Sequence, residues 1–432
     1  MPTRWIRWDE KSGLVWAALL AAGVPGGLAG MTVSPLAARE AAPARGVPPI
    51  DIDLSGKSSA ELPDFVLGGR GVERRGKQGF VYSLTLPEGL YKVTLTLGDR
   101  ARAGRTTVKA ESRRLALRDV TTRPGEQVER SFLVAVRDTQ LPAPPEGAPV
   151  LPDKVQIDAR DASDYDWDDR LSLEFLGEPR VEHIRVEPAT APVIYLVGDS
   201  TVADQYAEPY ASWGQMLPAM FDDQVAVANH AKSGGTMKAF IAQLRLSKVL
   251  TQARAGDWLF IQFGHNDQKS NWPLTYVSAD RTYPAYLRAF IAEARERGVH
   301  PVLVTSPERR NYDAQGRIKD TLGAYAEAVR KVAREDKVPL IDLNADSIAM
   351  MEALGPERAA TAFAQGGADR THNNNYGAWL FASAIANRIR ATLPELAPHV
   401  TLGAFEPAHP PLPDTIVIAP SLARLDEKPA GN

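Results

Sequence analysis

Apolar and polar positions follow two rhythms along this chain, and the change comes near residue 190. Between 49 and 189 the rhythm has period two. In the run 91–97, Tyr91, Val93, Leu95 and Leu97 share one face while Lys92, Thr94 and Thr96 share the other, as in a strand buried on one side. The run 80–86 precedes it across Pro87-Glu88-Gly89, so the two read as a strand pair joined by a short turn. Runs at 106–110, 128–136, 155–157, 171–176 and 184–186 continue the alternation, with Gly-, Pro- and Asp-rich turns between them and a longer loop at 142–147. No helical period intervenes. The expected architecture is an antiparallel β-sandwich of jelly-roll type.

From 190 to 400, short apolar runs alternate with helical periods. Strands are predicted at 193–197, 225–229, 257–264, 301–305 and 338–343. Helices are predicted at 213–221, 237–250, 283–297, 322–334 and 377–393. Continuous apolar runs joined by helices imply parallel strands buried on both faces. Five of them make a three-layer, doubly wound α/β sheet of the flavodoxin-like kind, with right-handed crossovers. Residues 401–432 are proline-rich and aperiodic, a tail in which 415–419 is a candidate edge strand.

The first forty residues obey neither rhythm. Arg4, Arg7 and Lys11 precede an apolar run at 13–24, which Pro25, Gly26 and Gly27 interrupt. That run is shorter than the roughly 20 apolar residues that span a bilayer. Small residues follow as far as Ala38. This order reads as a secretory signal peptide over 1–38, then a linker over 41–48. The expectation is an exported protein, periplasmic or extracellular, with no membrane association after signal removal.

Composition narrows the function class. A formal net charge of -3 over 432 residues leaves no basic footprint for nucleic acid. The chain has no cysteine, which removes disulfides, thiolate metal sites and a cysteine nucleophile. Oligomeric state is not legible.

Candidate chemistry lies where polar residues follow the ends of the α/β strands, the usual place for ligands in such sheets. Gly198-Asp199-Ser200 follows the first strand, and Asn229-His230-Ala231-Lys232-Ser233-Gly234-Gly235-Thr236 the second. Gly264-His265-Asn266-Asp267 follows the third, and Asp369-Arg370-Thr371-His372 precedes the last helix. A serine hydroxyl becomes a nucleophile when an imidazole takes its proton. His372 is the candidate base, and Asp369 can fix its tautomer. Backbone N–H groups of Ser200 and Gly234 and the amide of Asn266 are candidate oxyanion donors. Each block has a plainer alternative. Asp199 or Ser200 can cap a helix, Asp267 a turn, and His230 and His265 can be structural hydrogen-bonders. Tyr82, Tyr165 and Trp167 suit a sugar-stacking face but read better as core or sheet-surface residues. Four blocks in order make a serine hydrolase the better reading, with no cofactor and no metal implied.

Together, Gly198-Asp199-Ser200, Gly234, Gly264-His265-Asn266-Asp267 and Asp369-Arg370-Thr371-His372 resemble the SGNH, or GDSL-like, hydrolases over about 200 residues. The longer forms Gly198-Asp199-Ser200-Thr201-Val202, Ser212-Trp213-Gly214-Gln215 and Asn229-His230-Ala231 look most like the rhamnogalacturonan acetylesterase branch. The resemblance implies Ser200 as nucleophile, His372 as base, Asp369 as its partner, and Ser200, Gly234 and Asn266 as oxyanion hole. It implies an acetylated plant cell-wall polysaccharide, pectic rhamnogalacturonan, as substrate, and a carbohydrate-binding-module-like role for residues 49–189. Trp213, His230, Arg309 and Arg310 are the candidate substrate contacts. Thr201 stands where the broader family often has leucine, and Gly235-Thr236 where Arg-Ser often follows the oxyanion glycine. The alternatives are the same triad acting on acetylxylan, peptidoglycan or small esters, and a non-catalytic glycan-binding protein.

Overall fold

The computed structural model describes residues 46–424 apart from 144–145, 148–151 and 164. The expected signal peptide over 1–38, most of the linker and the last eight residues of the tail lie outside the described residues. Among the described residues, no helix is long and apolar enough to cross a membrane.

The period-two region forms nine strands: β1 (Ile50–Asp53), β2 (Arg70–Gly76), β3 (Gly79–Thr85), β4 (Gly89–Gly98), β5 (Gly104–Ala110), β6 (Arg114–Thr122), β7 (Gln127–Val136), β8 (Arg170–Glu178) and β9 (Val181–Pro188). They pair antiparallel in two sheets, ordered β1-β9-β4-β7 and β2-β3-β8-β5-β6. Tyr91, Val93, Leu95 and Leu97 of β4 are buried in one cluster with Leu171, Leu173 and Phe175 of β8, as their alternation predicts. The expected pairing of 80–86 with 91–97 is corrected: β3 bonds β2 and β8, whereas β4 bonds β7 and β9. Alternation tells which face is buried and is silent about the neighbour. Residues 155–157 form no strand. β1, β2 and β6 were not foreseen, because charges such as Arg74, Arg75 and Asp119 break their apolar pattern.

The second region forms β10 (Val193–Gly198), β11 (Ala226–Asn229), β12 (Trp258–Gln262), β13 (His300–Val304) and β14 (Leu340–Ile341). All pair parallel in the order β11-β10-β12-β13-β14, the doubly wound arrangement expected. The helices are α1 (Trp213–Met216), α2 (Met237–Ala242), α3 (Arg245–Gln252), α4 (Thr282–Glu296), α5 (Gly323–Asp336), α6 (Leu343–Ala360) and α7 (Asn375–Thr392). β10 feeds both layers. Ile194 and Leu196 pack with α1, α6 and α7 side chains such as Trp213, Met350 and Leu380. Val193, Tyr195 and Val197 pack with Phe240, Val249, Leu287 and Val329 from α2 to α5.

Three boundaries differ from expectation. The helix over 237–250 is split at Leu244, whose φ is +61°. The last strand shrinks to two residues because Asp342 accepts from the Ala345 N–H and starts α6, which was not foreseen. Residues 415–419 add no strand; the tail instead returns to the sandwich, where the Leu422 N–H donates to Glu174 at 2.7 Å. The two regions belong to one compact unit, and Leu115 of β6 is buried in the same cluster as Trp213 and Trp379.

Candidate active site

Every residue of β10 is buried, and the strand delivers the chain into a tight turn at Asp199-Ser200. Gly198 is required by space: a Cβ there would stand 2.5 Å from the Gln262 carbonyl oxygen. Asp199 caps the turn. One of its oxygens accepts from the Thr201 N–H at 3.0 Å and the Thr201 hydroxyl at 2.8 Å. Burial pushes this carboxyl above its ordinary value against the pull of those bonds. Asp199 therefore performs the capping, which leaves Ser200 free to point elsewhere.

It points at His372. Ser200 Oγ lies 2.9 Å from His372 Nε2, and His372 Nδ1 lies 3.0 Å from Asp369 Oδ2. A carboxylate facing Nδ1 requires a proton there, so Nε2 is the ring nitrogen that accepts from the hydroxyl. The other Asp369 oxygen accepts from the Thr371 and His372 N–H groups at 2.7 and 2.9 Å. Burial works to raise the Asp369 carboxyl, but the His372 ring and these N–H groups outweigh it and hold it below the usual range. All three residues are buried, although 172 positions separate Ser200 from His372.

Two further loops close on the same turn. The Lys232 N–H donates to the Gly198 carbonyl at 3.0 Å, which brings residues 232–235 to the end of β10. Gly234 has φ +76°, a conformation that glycine adopts without strain. Asn266 Nδ2 donates to the Gly235 carbonyl at 3.2 Å, one residue from Gly234. The arrangement gathers the Ser200 and Gly234 N–H groups and the Asn266 amide at one end of the sheet, where they can receive a developing negative charge. Asp267 secures both loops: its carboxylate accepts from the Gly264 N–H at 3.1 Å and the Met237 N–H at 3.0 Å. Burial pushes that carboxyl up to about 7. Thr236, at a position that departs from the family's usual pattern, caps α2 through a 3.1 Å bond from the Ala239 N–H.

The candidate substrate contacts separate into two groups. Trp213 is wholly buried and its indole N–H donates to Gln262 at 2.8 Å, so its expected role against substrate is corrected: it braces β12 from within the core. His230 is also buried, its ring 5.7 Å from Tyr195 and 6.0 Å from Trp167. With Tyr195 and Arg137 it lines a cavity of about 140 Å³ between sandwich and sheet, away from Ser200. Burial, then the nearby Arg137 and Lys248 charges, hold its ring well below the ordinary histidine value. Arg309 and Arg310 are partly exposed on loops that do flank the site. Arg309 donates to Thr321 at 3.0 Å and to the His265 carbonyl at 3.4 Å, and the Arg310 N–H donates to the Arg370 carbonyl at 2.8 Å. His265 is buried, and burial first, then the Arg309 charge, hold its ring well below the ordinary histidine value. Tyr82 lies in the sandwich core. Trp167 is covered by the guanidinium groups of Arg137 at 4.4 Å and Arg245 at 5.2 Å.

Sequence reasoning missed a set of residues behind Ser200. Gln205 Nε2 donates to the Ser200 carbonyl at 2.7 Å, and Gln262 Nε2 to the Thr201 hydroxyl at 2.7 Å. Asp204 is held by Asn229 at 2.8 Å and by Arg114, from the sandwich, at 2.8 Å. A lone Gln or Arg in a polar run carries no motif, so nothing along the chain marks them.

Residues 196–380 match a GDSL-like lipase/acylhydrolase family. The chain is 40% identical over 209 residues to the rhamnogalacturonan acetylesterase RhgT of Bacillus subtilis (strain 168), a match covering 45% of this chain and 88% of that protein. It is 37% identical over 201 residues to a second protein of that strain, named Probable rhamnogalacturonan acetylesterase YesY, covering 46% and 92% respectively. A third, named Uncharacterized esterase YxiM, is 27% identical over 330 residues and covers 73% of this chain and 78% of its own.

Proposed function

The chain belongs to the GDSL-like lipase/acylhydrolase family and is a carbohydrate acetylesterase; on that footing we propose that it is an exported serine esterase that deacetylates rhamnogalacturonan in pectin through an acetyl-serine intermediate. The observation that carries the mechanism is the continuous relay from Ser200 Oγ through His372 to Asp369, with contacts of 2.9 and 3.0 Å. The substrate choice rests on likeness to the two acetylesterases above.

In this reading Ser200 Oγ attacks the acetyl carbonyl carbon while His372 Nε2 takes the hydroxyl proton. Asp369 keeps Nδ1 protonated and stabilises the imidazolium. The carbonyl oxygen becomes an oxyanion facing the Ser200 and Gly234 N–H groups and Asn266 Nδ2. Collapse breaks the bond to the sugar oxygen, which leaves with the proton from Nε2. A water then gives a proton to Nε2 and attacks the acetyl-serine; as the bond to Oγ breaks and acetate leaves, Nε2 returns that proton to Oγ and restores Ser200. Arg309 and Arg310, partly exposed on flanking loops, are the substrate contacts in this reading, and the buried Trp213 and His230 are not.

Acetate release from acetylated rhamnogalacturonan, acetylated homogalacturonan, acetylxylan and a small acetyl ester, by wild type and Ser200→Ala, tests this. The expected result is highest kcat/KM on rhamnogalacturonan, with turnover lost in the variant. Preference for xylan or the small ester would overturn the substrate. Undiminished turnover by Ser200→Ala would overturn the mechanism.

A further inference from the structure

Hairpin turns ordinarily lie in solvent, because a buried turn carries backbone groups that need partners. The turn between β5 and β6 is an exception. Glu111, Ser112, Arg113 and Arg114 are all buried, with Glu111 and Arg113 at φ +52° and +64°. Neither is glycine, so the left-handed backbone here is held by surroundings. Glu111 fastens the turn to β8: its N–H donates to the Ser172 carbonyl at 2.8 Å, and its carboxylate accepts from the Ser172 N–H at 3.1 Å.

The outer side of this turn addresses the nucleophile segment. One Arg113 nitrogen donates to the carbonyls of Gln205 and Tyr210, both at 2.8 Å, and another meets Glu208 at 2.7 Å. The Ser112 carbonyl accepts from Gln215 Nε2 at 2.7 Å, and the same amide donates to the Gln205 carbonyl at 2.9 Å. Gln205 in turn holds the Ser200 carbonyl. Arg114 reaches Asp204 at 2.8 Å, and Asn229 binds the opposite Asp204 oxygen together with the Val202 carbonyl at 2.7 Å. Arg137 and Arg114 both pair with Asp166, so the charges behind the nucleophile are closed into a network.

The same contacts extend to the histidine. Glu208 accepts from Asn375 at 3.0 Å, three residues beyond His372. The Ala211 N–H donates to the Asn373 carbonyl at 2.9 Å. The Tyr210 ring stands edge-on to the His372 ring with centroids 6.0 Å apart. Ser200 and His372 are thus referenced to one foreign element, a turn of the sandwich.

We propose that the Glu111–Arg114 turn is a positioning device, in which Arg113 and Arg114 hold residues 200–211 so that Ser200 Oγ and His372 Nε2 keep hydrogen-bonding register. The sandwich then acts as part of the esterase site's support, a role that rests on the esterase reading but differs from binding glycan. Arg113 is the better probe than Arg114, because Glu208 keeps Lys109 as a second cation at 3.4 Å when Arg113 is removed.

The test uses the full-length protein. Arg113→Ala, Arg113→Lys and, as a control that weakens the sandwich core away from the turn, Val93→Ala are compared with wild type on a small acetyl ester. Hydrogen exchange of peptides spanning 199–211 is measured in parallel. The expected result is a kcat reduced at least tenfold in Arg113→Ala with KM little changed, faster exchange over 199–211, and partial recovery of both in Arg113→Lys. Val93→Ala keeps wild-type kcat and wild-type exchange in that segment. Unchanged exchange and kcat in Arg113→Ala, or equal losses in Val93→Ala, would overturn the proposal. Should Arg113→Ala not fold, Arg113→Lys and Gln205→Ala carry the same comparison. Wild-type turnover tests the esterase reading, whereas the exchange pattern tests the positioning role without reference to activity.

Discussion

Two buried polar clusters lie within a few residues of each other, and they are built to opposite ends. Behind Ser200, Arg114, Arg137, Asp166, Asp204 and Asn229 form a closed set in which cation meets carboxylate on several sides. Beside it, Ser200, His372 and Asp369 form a line in which the hydroxyl meets an imidazole and the imidazole a carboxylate. Groups whose charge is answered from several sides are costly to displace. A relay has to leave its terminal group with a proton to lose and room for a partner. The lesson is a division of labour: neighbouring groups with full complements hold still the few that must react.

The comparison breaks most sharply if that line is disturbed. Asp369→Asn keeps the shape while removing the charge that fixes the His372 tautomer, and kcat on a small ester should fall by about 10³–10⁴-fold while the protein still folds. A melting curve beside steady-state rates checks both halves. If the two clusters were alike in kind, this variant would lose stability instead.

The closed set should answer in the other currency. Arg114→Met leaves Asp166 and Asp204 with one cation fewer in the interior, and breaking such a pair costs about 3–5 kcal/mol. Burial already pushes the Asp204 carboxyl up, against the pull of Arg114 and Arg137. Denaturant unfolding should show that loss, and a midpoint equal to wild type would contradict the account of the network.

Between these extremes, Asn266→Ala removes one of the proposed oxyanion donors and should lower kcat by roughly 10²–10³-fold. KM for the small ester should hold, because the interaction strengthens only as charge develops. A rise in KM alone would mean that Asn266 serves binding or loop structure.

The smallest effect sharpens the border between the clusters. Burial works to raise Glu208, but Arg113 and Lys109 outweigh it and hold its carboxyl at about 2 against an ordinary 4.5. A folded-state value below the unfolded one means that stabilisation is complete above about pH 4.5 and is lost as pH falls toward 2. The depression corresponds to about 3 kcal/mol at 1.36 kcal/mol per unit. Glu208→Gln should therefore flatten the acid limb of the stability curve between those values, while thermal melts at neutral pH show a lower midpoint. An unchanged acid limb would remove Glu208 from the linkage.

How much of this was legible follows from what a linear pattern contains. Alternation along β4 identified its buried face, and apolar runs located four of the five parallel strands nearly to the residue. Those features arise from local periodicity and burial, which every residue in an element reports. The blocks around Ser200, Gly234, Asn266 and His372 were legible for a related reason: loops past strand ends are where small and polar residues interrupt apolar runs.

The partners of the strands were not legible, and β3 and β4, adjacent in sequence, went to opposite sheets. Nor were the supports of the site. Arg113 and Arg114 carry no mark in the sequence, and Trp213 reads as an aromatic for substrate, yet folding buries all three. Pairing, charge compensation and the aim of a side chain depend on atoms far away in the sequence, 49 positions for Trp213 and Gln262 and 92 for Arg113 and Gln205. Periodicity carries one residue's environment and leaves out its partner's identity, so only the tertiary structure decides them.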